Sequence, residues 1–166
     1  EGVLLFDLSS QQFTTLNVEG LPSIGPIYSM IKTSFNHYWV TSNHGVYSFT
    51  LDNLSLKKVD LGVDDQCSQS LFQDNQGVIW LSCEGMGVYK IIKQDTFKLF
   101  SDPLVRTAHS LLPTVNDTLL IGTAEYGIHE WNPKTQQLKD FSRKTNKAAP
   151  PEVWAMQQTS RGDIWF

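Results

Sequence analysis

One pattern recurs along this chain and restricts what it can fold into. Residues 75–90 (Asn-Gln-Gly-Val-Ile-Trp-Leu-Ser-Cys-Glu-Gly-Met-Gly-Val-Tyr-Lys) read as a tight turn, a strand, a glycine-bearing turn and a second strand. Much of this is written again at 38–47 (Tyr-Trp-Val-Thr-Ser-Asn-His-Gly-Val-Tyr) and at 119–129 (Leu-Leu-Ile-Gly-Thr-Ala-Glu-Tyr-Gly-Ile-His). Residues 163–166 look like the opening of a further copy, and residues 1–6 like the close of one. The turn glycines Gly2, Gly45, Gly87 and Gly127 stand 43, 42 and 40 residues apart, and the strand markers Trp39, Trp80, Leu120 and Trp165 stand 41, 40 and 45 apart. A period of about 40–45 residues built from several short strands is the mark of β-propeller blades.

Each repeat divides into four strand-like runs, A to D from the inside of a blade outward. Short alternating runs bounded by Asn, Asp and Gly favour strands over helices. The expected fold is therefore all-β, with blades of four antiparallel strands. There are about four repeats, three complete and one split between the termini. The whole chain, 1–166, reads as a single propeller segment with blade parts at 1–18, 27–60, 67–101, 108–143 and 153–166. Residues 1–18 supply C and D, with D at 13–17; residues 153–166 supply A and B. Because the chain starts and stops inside repeats, it is expected to be an excised piece of a larger propeller. Its end blades then either continue an open arc or bring copies together. Pro113 falls inside a proposed innermost strand and is the weakest point of the assignment.

A single sheet cannot bury both faces, whereas sheets stacked around an axis can. Trp39, Trp80 and Trp165 are thus expected to fill the layers between blades rather than to bind ligand. The repeated glycines are read as turn residues that need positive φ or close backbone approach. No helix start or Lys-Ser/Thr follows them, which excludes a phosphate-binding loop.

The 166 residues carry thirteen Lys and Arg against seventeen Asp and Glu, a net charge of −4. That argues against a nucleic-acid surface. No apolar run approaches the ~18 residues of a membrane helix. Cys67 and Cys83 fall on the two arms of one predicted hairpin. They lack metal-ligand spacing and are read as free thiols packed as small apolar groups. A disulfide would instead favour an exported location.

No catalytic constellation stands out. His37, His44, His109 and His129 are scattered without HxH or HExxH spacing, and are read as turn or surface histidines. There is no GxSxG elbow. No metal and no cofactor is expected. In a propeller the B–C turns and D–A connections share one rim, where loops carry function on a rigid scaffold. Candidate ligand-binding residues from the B–C turns are Asn43, His44, Glu84, Met86, Glu125 and Tyr126. Those from the D–A side are Tyr28, Asp64, Asp65, Arg106, His109 and Trp154.

The run 74–89, Asp-Asn-Gln-Gly-Val-Ile-Trp-Leu-Ser-Cys-Glu-Gly-Met-Gly-Val-Tyr, resembles the two-component regulator propeller repeat. That pattern is roughly Asp, two residues, Gly, one residue, Ile/Leu-Trp, a short strand ending in Thr, then Gly-Leu/Ile-Tyr. The resemblance extends to Trp39 through Tyr47, to Leu120 through Ile128, and to Gly162-Asp-Ile-Trp165. Leu120 departs from the Trp, and Asn36 and Asn116 stand where the A–B turn would carry the Asp/Gly pair. The resemblance implies a noncatalytic sensor or ligand-binding segment of a bacterial transmembrane signalling protein. Such a segment is periplasmic or extracellular, and the output is a histidine kinase or a diguanylate cyclase. Expected partners are a small molecule or oligosaccharide, with self-association through the end blades. Nucleic acid is not expected, and membrane contact only through parts beyond this chain. Residues 162–166 also look like the repeats of streptogramin lyases. That alternative, an enzyme, needs a metal and a His/Glu pair at the funnel, and His109 and Glu125 are its test positions. A protein-interaction scaffold is the third reading, although the WD signature is absent.

Overall fold

The computed structural model describes residues 3–18, 23–65, 68–92, 96–141 and 150–166; for residues 92 and 96–99 it describes the backbone alone. Seventeen short strands and one 3-10 turn at Pro103–Val105 make up the regular structure among these residues. Three sheets repeat one plan. In the first, β4 (Ile27–Ser34), β5 (His37–Ser42), β6 (Gly45–Thr50) and β7 (Ser55–Lys58) follow one another antiparallel. In the second the order is β8 (Ser70–Gln73), β9 (Ile79–Cys83), β10 (Gly87–Ile92) and β11 (Thr96–Phe100). The third holds β12 (Ala108–Pro113), β13 (Leu119–Thr123), β14 (Ile128–Asn132) and β15 (Gln137–Asp140). Pro113 is tolerated because it is the last residue of its strand, opposite Leu119.

Two half-sheets flank these blades. The hairpin β1 (Leu4–Asp7) and β2 (Gln12–Thr15) corresponds to strands C and D; β16 (Gln157–Gln158) with β17 (Ile164–Trp165) corresponds to A and B. The expected D strand at 13–17 is interrupted. After Leu16 the chain leaves the hairpin, and β3 (Asn17–Val18) adds in parallel to the outer edge of β7. Leu16, at the bend, is buried against the first blade with Ile24, Val40 and Tyr47. Leu16 N still donates to the Val3 carbonyl at 3.0 Å, and from Asn17, whose N–H donates to the Leu54 carbonyl at 3.2 Å, the chain bonds to the first blade instead.

The B–C register is the same in every blade: Trp39 faces Ser48, Trp80 faces Lys90 and Leu120 faces Glu130. Period-two alternation then sends one set of side chains to each side. Trp39 packs toward the second blade with Leu71, Leu81 and Tyr89, and Trp80 toward the third with Ile121 and Trp131. Leu120 packs toward the β16–β17 half-sheet with Val153. Trp165 was expected to fill a layer in the same way. It is instead 71% exposed, while Trp39, Trp80 and Leu120 are 8%, 4% and 0% exposed. Its own strand is placed as predicted; among the described residues no sheet packs on that face.

The A–B turns explain the repeat's polar residues. Asp74 accepts through Oδ1 from the main-chain N–H groups of Gln76 and Val78, both at 2.9 Å, and through Oδ2 from Trp80 Nε1 at 3.0 Å. Thr114 and Thr159 take its place in the next copies and accept from Asn116 and Arg161. The left-handed turn residue recurs as Asn36 (φ 66°), Gly77 (φ 79°), Asp117 (φ 57°) and Gly162 (φ 92°). Two copies that look degenerate by letter therefore keep the conformation, since Asn and Asp visit this region more readily than other side chains.

Two expectations fail in the buried layers. Cys83 is fully buried and disulfide-bonded, not a free thiol; Cys67 lies outside the described residues. His129 is not a surface residue. It occupies the repeat position of Tyr47 and Tyr89, and all three side chains are buried. The tyrosine hydroxyls reach back to their own B–C turns, Tyr47 Oη to the His44 carbonyl at 3.3 Å and Tyr89 Oη toward Met86 Sδ at 3.8 Å. Burial pushes both phenols above their ordinary pKa. The shorter imidazole of His129 finds no hydrogen-bond partner for either ring nitrogen. Orphaned buried polar atoms cost about 1–3 kcal/mol. His129→Leu, close in volume, is expected to raise the unfolding free energy by about that amount, read from a urea titration. A lower value would mean that the nitrogens are solvated on opening.

Candidate functional site

The inner edge of each sheet is strand A. Side-chain to main-chain hydrogen bonds join neighbouring A segments: Leu71 N donates to Ser29 Oγ at 3.1 Å, and Ser110 Oγ to the Val153 carbonyl at 3.3 Å. These edges therefore converge on the axis of the segment. Further bonds tie each B–C turn to the next incoming segment. Gly85 N donates to the Arg106 carbonyl at 2.6 Å, Gly127 N to that of Pro151 at 2.9 Å, and Ser68 Oγ to that of Ser42. The rim is thus stitched from blade to blade.

One repeat position, inside β4 and β12 and just ahead of β8 and β16, collects Tyr28, Gln69, His109 and Trp154, spaced 41, 40 and 45 residues apart. Tyr28 and Trp154 are exposed, and Gln69 and His109 half-buried. The His109 and Trp154 rings meet with centroids 4.2 Å apart at 50°. Gln69 Nε2 donates to Glu84 Oε2 at 3.3 Å, which brings a B–C carboxylate to the same row. The row therefore offers two aromatic faces, an imidazole, an amide and a carboxylate. Gln69 escaped the sequence reading, although its spacing is the one that marks the strand B tryptophans.

Asn43, His44, Met86, Asp64 and Asp65 make their contacts elsewhere. Asn43 packs over Gly25, and His44 Nδ1 lies 3.2 Å from the Ile24 carbonyl, an acceptor that requires the proton on Nδ1. Both side chains thus lie against the segment 24–25 that leads into β4. Met86 packs against the core between the first and second blades. Asp64 and Asp65 line a separate cleft of about 330 Å³ with Gly45, Lys58 and Leu61. There Asp65 meets Lys58 Nζ at 2.5 Å, and this bond raises the Lys58 pKa. Arg106, Glu125 and Tyr126 are exposed on the rim. Among the described residues no group of three or more His, Cys, Asp or Glu is placed to hold a metal ion. No helix among them is long and apolar enough to cross a membrane.

Three four-stranded antiparallel sheets with converging inner edges and stacked faces define a β-propeller segment. Solved structures bear this out. The chain matches the extracellular domain of the hybrid two component system BT4673 from B. thetaiotaomicron with a TM-score of 0.75 at 23% identity, covering 98% of this chain and 23% of that one. The corresponding domain of BT3049 from the same organism gives 0.73 at 19% identity, covering 99% and 22%. Virginiamycin B lyase from Staphylococcus aureus gives 0.67 at 14% identity, covering 86% and 48%. The likeness is one of fold, and the chain spans about a quarter of the length of the two-component domains. No protein-family model matches the chain, and no curated protein matches it.

Proposed function

We propose that this chain is a noncatalytic, ligand-binding propeller segment of an extracytoplasmic bacterial sensor, and that its axial row binds a neutral oligosaccharide. The observation that carries the reading is the exposed Trp154 ring held by His109, beside the bonded Gln69–Glu84 pair. An apolar ring with a polar neighbour suits the C–H face and hydroxyl rim of a sugar. The negative net charge disfavours acidic ligands. Two further points support an extracytoplasmic sensor. The disulfide at Cys83 belongs to oxidising compartments, and the fold is that of the extracellular domains named above. The output, a histidine kinase or a diguanylate cyclase, would lie elsewhere in the protein.

Isothermal titration with xylo-, manno- and arabino-oligosaccharides tests this. At least one is expected to bind, with Trp154→Ala weakening it tenfold or more, about 1.4 kcal/mol. Binding that survives Trp154→Ala and His109→Ala together, or no binding to any of these sugars, would refute the assignment of the row.

A further inference from the structure

A further cleft lies at the opposite end of the blades from the axial row. The A–B and C–D turns meet there, whereas the B–C turns and D–A connections make the rim. Between the second and third blades they leave a space of about 250 Å³, and both of its walls belong to complete blades. Residues 74–76 of one A–B turn and Lys90 on β10 form the first wall. Asp117 and the C–D turn residues Pro133 and Lys134 form the second. Trp80 and Leu119, each 4% exposed, make the floor.

The charged groups around this cleft are unevenly engaged. Asp74 directs both carboxylate oxygens into its own turn and onto Trp80 Nε1. Asp117 Oδ2 stands 2.8 Å from Lys134 Nζ. Lys90 differs from these. Its Nζ stands 5.4 Å from the Trp80 ring centroid, and it meets no carboxylate within ion-pair distance among the described residues. Asn75, exposed on the turn, likewise makes no side-chain hydrogen bond among them. The blade does not require a cation at this place. Ser48 and Glu130 stand there in the other two complete blades, and Glu130 accepts from Thr118 Oγ1 at 2.8 Å.

An ammonium and an amide that the fold leaves unengaged, over an apolar floor, are the makings of a small-molecule site. We propose that this cleft binds a small monocarboxylic acid with an apolar body. Its carboxylate accepts from Lys90 Nζ and from the Asn75 amide, and its body rests on Leu119 and Pro133. Both protein groups donate, and a carboxylate is an acceptor at each of its oxygens. A dianion such as phosphate would bring a second charge toward Asp74 and Asp117, which one ammonium does not offset. At the ~30 Å³ that a water occupies in the liquid, the cleft has room for about eight waters. That suits an acid the size of benzoate and is too little for an oligosaccharide. The site is separate from the axial row and stands whether or not that row binds sugar.

Titration of the isotope-labelled chain with benzoate, phenylacetate and hexanoate, followed by amide chemical shifts, tests this. At least one acid is expected to saturate in the millimolar range, with the shifts centred on the main-chain N–H groups of Gly77, Val78, Lys90 and Lys134. Lys90→Gln keeps much of the stem over Trp80 and is expected to weaken binding about tenfold, the scale of one charge-assisted hydrogen bond. Asn75→Ala, on an exposed turn, is expected to weaken it about threefold. Benzyl alcohol, the ring without the charge, and phosphate, the charge without the ring, are expected not to saturate. If Lys90→Gln lacks the dispersed spectrum of the folded chain, Asn75→Ala and benzyl alcohol decide: weaker binding in both supports the site, and unchanged binding in both refutes it. No saturation by any of the three acids, equal affinity in folded Lys90→Gln, phosphate bound as tightly as the acids, or shifts centred on Gln69, His109 and Trp154 would each overturn the proposal.

Discussion

Replacing Trp80 by Ala is expected to lower the unfolding free energy by about 3–5 kcal/mol. The indole is 4% exposed and lies in the layer between the second and third blades with Val88, Leu119, Ile121 and Trp131. Truncation removes its apolar transfer energy and leaves a void that the surrounding strands cannot close, because β9 is held on both edges by β8 and β10. Two further contacts go with it. Trp80 Nε1 satisfies Asp74 Oδ2, and Lys90 Nζ stands 5.4 Å above the ring. Trp80→Phe separates these effects. It keeps most of the apolar volume and deprives Asp74 of one donor, for a loss of about 1 kcal/mol. Urea denaturation of the three proteins gives the ranking. A Trp80→Ala loss under about 1 kcal/mol would mean that a different interface governs unfolding.

How much of this could be read from the letters depends on repetition. Where a position recurs with the same role, the sequence carries three or four readings of one environment. Trp39 and Trp80, the glycines at 45 and 87, and the Asp74 turn were legible for that reason. Trp165 shows the boundary of such reasoning: its letter matches, but burial needs a neighbouring sheet, which no local pattern encodes. By its letter alone His129 suggests a surface histidine; its burial follows from its place as the third member of the Tyr47 and Tyr89 series. The disulfide at Cys83 was missed because thiol pairing depends on distances between strands, not on spacing along them. The rim was the least legible part. Its loops differ from copy to copy, so no recurring letter marks which of them would meet a ligand: His44 lies against the Ile24 carbonyl and Met86 against the core between two blades. Gln69, silent by its loop context, stands in the axial row.

Gly87→Val is expected to cost about 4 kcal/mol, from two sources of comparable size. The first is conformational. Gly87 has φ 97°, a left-handed setting that a β-branched residue adopts only under strain. The second is steric. A Cβ at this position would stand 3.0 Å from the Phe100 carbonyl oxygen and 3.3 Å from Ser101 Cα. Both are backbone atoms, and the Phe100 carbonyl ends the strand paired with β10, so relief requires moving the edge of the sheet. Gly45 provides the comparison. It has a similar φ of 112°, but its added Cβ would meet Asp65 Oδ1 at 3.1 Å and Lys58 Cε at 3.3 Å. These are the ends of exposed side chains that can swing aside. Alanine at each site should therefore separate the two costs: Gly45→Ala carries the backbone strain, and Gly87→Ala carries that strain and the displacement of β11. The expected order of melting midpoints is unmodified chain, then Gly45→Ala, then Gly87→Ala, then Gly87→Val. If Gly45→Ala and Gly87→Ala melted together, the contact with Phe100 would have no energetic weight and the glycine would recur for its φ alone.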